Sequence, residues 1–399
     1  MHLRNTRLVS RARRRRAAFI AAVLLATIGA VPSSAAPLFV GRGLSSVAPS
    51  RAATTAGLHV YSINGHRFGV KAAIHVVSFE GSRFSMNIAL AHGAIDASRQ
   101  TPRAMCRITP HCVAAVNGDF FAMTRPGVPD PGDEVGGIIQ DCILLHTPEV
   151  SHQQANLDTQ TVTNGLNWSS TVNVNGTIVP ITDVNVEEPL SYSIVSRPLS
   201  GTLLYTPAYA LPTPVAGGWV TYQFTQVDPT VSPTTINTTT QLQFVAATSS
   251  AVHVAAGQVD ITAPTSSVLA TLQPGNTVTL TTTSTAGCNS IGGHPILLNQ
   301  GAVVPIDPAD TYMAKLYART VVGWTASGAT VIMIVEGNDR TSGATAHQLV
   351  ALLRSIGVVT ALDLDGGKST SLYAPGYVLD HPANTNERSV STSLLVVQN

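Results

Sequence analysis

The residues able to do chemistry in this sequence sit at a few turns. Asp365 ends an otherwise apolar run, Val358 to Leu364, and opens the turn Asp365-Gly366-Gly367-Lys368-Ser369-Thr370. Two adjacent glycines let a backbone turn sharply and expose its N–H groups, a nest that suits an anion. Lys368 beside them is one of only three lysines in the chain. A plain strand-ending turn is the simpler use of the same residues. A second turn, Asn117-Gly118-Asp119, follows the apolar run Ala114 to Val116, where Asn and Gly permit left-handed backbone. The third group is Asn386-Glu387-Arg388-Ser389-Val390. Arg319 and Arg388 both flank apolar strands, which is costly unless each finds an anionic partner. Structural pairs would suffice: Arg319 with Glu336, and Arg388 with Glu387 or another carboxylate.

A phosphate-binding P-loop is excluded. It needs a further glycine five positions before Gly367, where Leu362 stands, and a helix after it, where Ser371-Leu372-Tyr373 reads as strand. No zinc spacing occurs. Asp119, Asp363 and Asp365 are the acids that could bind calcium, but no metal or cofactor motif is present.

The elements that must position these turns are legible in part. Thr320–Ala326 and Thr330–Val335 read as strands joined by Ser327-Gly328. A two-residue loop there places Arg319 opposite Glu336. Thr345 with Gln348 forms a capping box, Leu349, Leu352, Leu353 and Ile356 recur at helical spacing, and Gly357 ends the helix. A buried strand runs from Val358 to Leu364, and Leu394 to Val397 reads as a closing strand. Residues 71–90 alternate as strands. Between Thr221 and Thr285 there are 18 threonines and only two charges, Asp228 and Asp260, so 150–290 reads as short strands and loops. The expected fold is α+β: a mixed β-sheet core with packed helices and a strand-rich insertion at 150–290.

Of 399 residues, 11% are charged and 44% hydrophobic, which excludes a coiled coil and argues against nucleic-acid binding. The +1 net charge averages two unlike parts. Residues 1–36 carry seven arginines and no acid, and the remainder has 16 Lys+Arg against 22 Asp+Glu. Arg13 to Arg16 precede a 14-residue apolar run and the small residues Pro32 to Ala36, the pattern of a signal peptide. An uncleaved anchor is the alternative, although the run is short for a span. Residues 37–57 read as linker and 58–399 as the folded part, secreted or on the cell surface. In an oxidising compartment Cys106, Cys112, Cys142 and Cys288 could form two disulfides. Three pairings are open. Cys106–Cys112 with Cys142–Cys288 is preferred because the first closes a short loop, and free thiols are the alternative.

Taken in order, these motifs resemble the phosphodiester glycosidase family. The family's Asn-Gly-Gly-Phe/Tyr-Phe is similar to Asn117–Phe121, and its Ile-Gly-Gly-Gly-Pro to Ile291–Pro295. Its Arg-Thr-Ala-Val-Gly resembles Arg319–Gly323, and its Val-Asp-Gly resembles Val335-Glu336-Gly337. The run Ala361–Ser369 follows its Ala-Leu-Asn-Leu-Asp-Gly-Gly-Gly-Ser, and Glu387–Val390 its Glu-Arg-Pro-Val. The likeness extends from about residue 60 to 397. Asp119, His294 and Lys368 each replace a family glycine, and Glu336 replaces an aspartate.

The resemblance implies a hydrolase that splits a sugar from a phosphodiester at the anomeric carbon. Phosphate leaves readily, so the needs are a cation clamp and a carboxylate near the oxocarbenium-like centre. The implied clamp is Arg319 and Arg388, helped by the Gly366 and Gly367 amides, Lys368 and Ser369. Asp365 is the implied carboxylate at the sugar and Glu336 the acid or base. Asn117, Gly118 and Asp119 would hold sugar hydroxyls, and Glu387 would stand beside Arg388. The expected partner is a glycosyl phosphate or a cell-envelope glycan, with no nucleic acid and no lasting membrane span. The competing class is a non-catalytic exported module that binds such a glycan intact.

Overall fold

The computed structural model describes residues 53–122, 132–149, 152–187, 190–191, 196–214, 216–338, 341–374, 377–379 and 387–399. The expected signal peptide and most of the expected linker lie outside these residues. The last linker positions are strand instead: Ala53–Thr55 pairs antiparallel with Leu58–Asn64.

Sheets dominate. One eight-stranded sheet runs in the order Ala53–Thr55, Leu58–Asn64, Ala73–Phe79, Thr330–Val335, Arg319–Thr325, Val358–Asp363, Ile296–Asn299, Ala302–Val303. A five-stranded sheet follows the order Tyr377–Leu379, Leu372–Ala374, Cys112–Asn117, Thr392–Gln398, Phe84–Leu90. Their facing sides share one core, with Val322, Ile332 and Leu362 from the first and Val116, Leu372 and Leu394 from the second. Only three α-helices occur among the described residues, Pro102–Ile108, Thr311–Ala314 and Ala346–Ser355. The helix-packed α+β expectation is therefore corrected to a mainly β fold. The reason lies in composition: Val- and Thr-rich runs suit pleated surfaces and leave few segments with helical periodicity.

The threonine-rich stretch forms a second eight-stranded sheet with its own core of Val172, Phe224, Leu242, Ile261 and Leu280. Thr238–Thr248 shows why: Thr240, Leu242 and Phe244 point inward while Thr239, Gln241 and Gln243 alternate outward. Cys142–Cys288 bridges the two ends of this stretch, and Cys106–Cys112 closes the short loop after the first helix. Both are the preferred pairings.

The predicted helix is present with its Thr345/Gln348 capping box, and Gly357 follows it at φ +81°. The hairpin before it differs by one residue. Arg319 pairs with Val335 rather than Glu336, because the chain turns through Thr325–Ala329, a longer loop than Ser327-Gly328 alone. A one-residue slip turns every side chain to the other face of a strand. Arg319 consequently points into the protein.

Candidate active site

The site forms where the strands Cys112–Asn117, Arg319–Thr325 and Val358–Asp363 deliver their ends. Asn117 clasps these ends together. Its Nδ2 donates to the Asp365 carbonyl at 2.6 Å, while its Oδ1 accepts from Thr320 Oγ1 at 2.7 Å and from the Ser371 N–H at 3.3 Å. Gly118 accepts from the Asp365 N–H at 3.2 Å and donates to Thr392 O at 2.8 Å. A Cβ on Gly118 would overlap Thr392 Oγ1, so only glycine fits this close approach. Asn117 and Gly118 are fully enclosed, and the expectation that they hold sugar hydroxyls is corrected: they fix Asp365 in place.

Asp365 lines a cavity of about 330 Å³ with Phe120, Phe121, Tyr312, Tyr317, Gly366, Gly367, Lys368 and Arg388. Its Oδ1 accepts from its neighbour's Gly366 N–H at 2.8 Å. The Ser369 hydroxyl accepts from Arg388 Nη1 at 3.2 Å, and both Ser369 and Arg388 favour the ionised form of Asp365. Burial pushes Asp365 up to about 6, against the pull of the Ser369 bond, the Arg388 charge and the Gly366 N–H, while nearby Asp119 adds to the rise.

The walls are aromatic. Tyr312 and Tyr317 stack with ring centroids 4.8 Å apart, and Phe120 meets Tyr312 edge-on at 6.0 Å. A Cβ on Gly366 would lie 2.6 Å from the Tyr312 hydroxyl, so this glycine admits the ring. Burial, then the Asp365 charge, holds the Tyr312 hydroxyl well above the usual phenol range.

Several expected ligands are committed elsewhere. The Gly367 N–H donates to Ala318 O at 2.8 Å and the Gly366 N–H to Asp365, so these amides do not form an open anion nest. Ser369 is buried and takes a hydrogen bond from Arg388. Arg319 is fully buried. It donates to Asp363 Oδ2 at 3.2 Å and to the carbonyls of Tyr312, Lys315 and Ala344, with the Tyr312 ring 4.5 Å away. It holds the Tyr312 wall from behind and is not a clamp at the pocket surface. Burial pushes Asp363 up to about 7 in spite of the Arg319 guanidinium.

Glu336 accepts from or shares a proton with His75 Nε2 at 2.9 Å and does not line the cavity. Glu387 is bound to Arg103, through the N–H at 3.0 Å and Nε at 3.3 Å. Asp119 is buried with its Oδ1 2.8 Å from His152 Nε2, behind Phe120. A side chain on Gly136 or Gly292 would overlap its Oδ2, so two glycines elsewhere make room for the acid. His294 bridges Gln153 Oε1 and Asp310 Oδ2, each at 2.7 Å, and Asp310 caps the helix that carries Tyr312. Lys368 alone of the three glycine replacements is exposed in the cavity lining.

Sequence reasoning missed Tyr312, Tyr317, Arg99 and Glu134. Arg99 lies against Phe121. Glu134 is buried, takes a hydrogen bond from Ser391 and is driven well above the carboxylate range by burial, then by Asp119. Phe120 and Phe121 were visible in the Asn-Gly-Asp motif itself. The residues with converging metal-type ligand atoms are Asp133, His146 and Glu149, and Asp96, Asp133 and Glu187, all buried. Asp119, Asp363 and Asp365 do not form such a group.

The fold is similar to that of a hypothetical protein from Synechocystis, with a TM-score of 0.64 and 19% identity over 86% of this chain. The chain spans 62% of that protein's length. A Burkholderia pseudomallei protein with an export designation gives 0.61 and 18%, over 82% of this chain and 74% of the other. The zebrafish N-acetylglucosamine-1-phosphodiester alpha-N-acetylglucosaminidase catalytic domain, auto-inhibited by its pro-peptide, aligns at 0.42 and 14%, over 88% and 87%. That last score is too low to support an argument, and the first two are likenesses of fold. No curated protein matches. Residues 226–397, which contain Tyr312, Asp365, Lys368 and Arg388, match the model of the phosphodiester glycosidase family.

Proposed function

We propose that this protein is an exported hydrolase that releases a sugar from a glycosyl phosphodiester at the anomeric carbon. The observation that carries the reading is one cavity in which the Asp365 carboxylate is flanked by Arg388 and Lys368 between aromatic walls. Asp365 stabilises the oxocarbenium-like centre or attacks it. Arg388 and Lys368 hold the phosphate, and the aromatic rings bracket the sugar. The bond between C1 and the phosphate oxygen breaks. A water oxygen bonds to C1, directly or after the enzyme adduct, and the proton balance closes on the phosphate. Glu336 is paired with His75 outside the cavity lining, and the buried carboxylates that act on Asp365 electrostatically are Asp119 and Glu134.

Export is supported by the leader pattern of residues 1–36 and by the two disulfides. The folded unit is read as 58–399 with the strip Ala53–Thr55 added, and 150–290 as its insertion. The test is sugar release from a UDP-sugar and from an aryl glycosyl phosphodiester by wild type and Asp365→Asn. Turnover lost in the variant supports the hydrolase. Turnover retained refutes the role of Asp365. Tight binding of these compounds without turnover by wild type selects the non-catalytic glycan-binding module.

A further inference from the structure

The backbone and ring of Tyr312 are held by groups from behind the cavity. Its N–H donates to Asp310 Oδ1 at 3.1 Å, and its carbonyl accepts from Arg319 Nη2 at 2.8 Å. The Arg319 guanidinium lies 4.5 Å from the ring centroid, Tyr317 stacks on the ring at 4.8 Å and Phe120 meets it edge-on. The two anchors are themselves tied. Arg319 is fixed by Asp363 and by the carbonyls of Lys315 and Ala344, and Asp310 by His294. Neither Arg319 nor Asp310 lines the cavity, whereas Tyr312 does. A side chain locked in this way presents its polar tip in a fixed direction.

That tip lies at the turn that carries Asp365. A Cβ on Gly366, the next residue, would stand 2.6 Å from the Tyr312 hydroxyl, so the absence of a side chain there makes room for the oxygen itself. After burial, the Asp365 charge acts most strongly on this phenol, and both keep it protonated. Among the described residues the hydroxyl makes no hydrogen bond. A phenol O–H that stays protonated wherever Asp365 is ionised, and that opens on the same cavity, is a donor without an acceptor in the protein. Of the charges that form when a glycosyl phosphodiester is cleaved, a donor stabilises the negative one, on the departing oxygen.

We infer that the Tyr312 hydroxyl is a catalytic hydrogen-bond donor to the phosphate oxygen that leaves C1, with Arg319 and Asp310 as the residues that position it. As the bond between C1 and that oxygen breaks, its electron pair stays on the oxygen. The phenol keeps its proton and shares it with the growing charge, so the hydrogen bond is stronger in the transition state than in the bound substrate. Asp365 meets the positive carbon and Tyr312 the negative oxygen of the same bond. This rests on reading the cavity as a glycosyl phosphodiester site, and it adds the group that faces the leaving oxygen.

Tyr312→Phe tests it, because the variant loses one oxygen and keeps the ring, its stack and its backbone bonds. With an aryl glycosyl phosphodiester, kcat is expected to fall about tenfold or more, as when one preorganised donor is removed. KM should stay within about threefold, since the interaction belongs to the transition state. An unchanged kcat, or a loss carried by KM alone, overturns the inference. Where wild type turns over neither this compound nor a UDP-sugar, calorimetric titration with inorganic phosphate, which carries the departed charge in full, decides. Binding about fivefold or more weaker in Tyr312→Phe then means that the hydrolase reading fails and the donor to a phosphate oxygen stands. Equal affinity of the two proteins, or no binding by wild type, overturns both.

Discussion

The pH dependence of the reaction tests the site most directly. Asp365 must be ionised to stabilise positive charge at the sugar, and burial puts its titration at about 6 instead of 3.8. kcat/KM should therefore be flat above about pH 7 and fall about tenfold per pH unit well below 6. At pH 4, with the group two units below its midpoint, about one per cent of the plateau should remain. The perturbation is Arg388→Gln. Arg388 favours the charged form of Asp365, and Asp119 disfavours it. Removing the cation leaves only Ser369 and the Gly366 N–H to favour the ionised form, so the acidic limb must move upward. Opposite charges at close range shift a carboxylate by about 1–3 units, and the open side of the cavity argues for about one.

The same numbers carry a stability sign. Below 3.8 the carboxyl is protonated in both folded and unfolded chains and contributes nothing. Between 3.8 and about 6 ionisation increasingly favours the unfolded chain, and above 6 the cost is complete. At about 1.4 kcal/mol per unit this reaches on the order of 2–3 kcal/mol, less whatever pocket water returns. Asp365→Asn should be inactive and also more stable than wild type at pH 8, with the gain vanishing near pH 4. The assays are pH–rate profiles from 4 to 8 and urea unfolding at each end. An acidic limb centred near 4, or a limb that moves downward in Arg388→Gln, would refute the electrostatic account of this pocket.

Asp260 lies fully buried on Gln258–Pro264, and burial alone pushes it up to about 7. Asp260→Asn should leave stability unchanged near pH 4 and raise it by about 2–4 kcal/mol at pH 8, read from urea midpoints; a gain independent of pH would contradict this. Arg319→Met removes the partner of buried Asp363 and the donor to three carbonyls, and should cost about 3–5 kcal/mol by the same measurement. A loss below about 1 kcal/mol would mean that the pair is not structural.

What the sequence made legible was local. The capping box of Thr345 and Gln348, the strand before Asp365 and the preferred disulfide pairing all follow from neighbours or from short loops. Asp365, Lys368 and Arg388 do meet in one cavity, since scarce charges beside apolar strands have few places to go. Arg319 went astray through one residue of hairpin register, which is set by turn geometry that Ser327-Gly328 does not reveal. The Gly366 and Gly367 amides looked free because nothing near them in sequence announces Ala318 as an acceptor. Arg99, Tyr312 and Glu134 reach the site only through long-range pairing, and no local pattern marks them.

Asp119, His294 and Lys368, the three residues that stand where the motifs they resemble carry glycine, are accommodated in different ways. Asp119 and His294 add bulk and charge at turns, and each turns away from the open cavity to a partner of its own. Asp119 takes His152, in a cradle that Gly136 and Gly292 leave open, and His294 takes Asp310 and Gln153. The two imidazoles lie 6.2 Å apart, so the added groups form one contiguous wall behind Phe120 and beneath the Tyr312 helix. Their effect on substrate is therefore indirect, through the position of the aromatic rings. Lys368 is different. It adds a cation to the cavity lining itself, on a turn whose amides are already spent, next to Arg388. The departure most able to change which anion is accepted is thus the one that completes the basic rim.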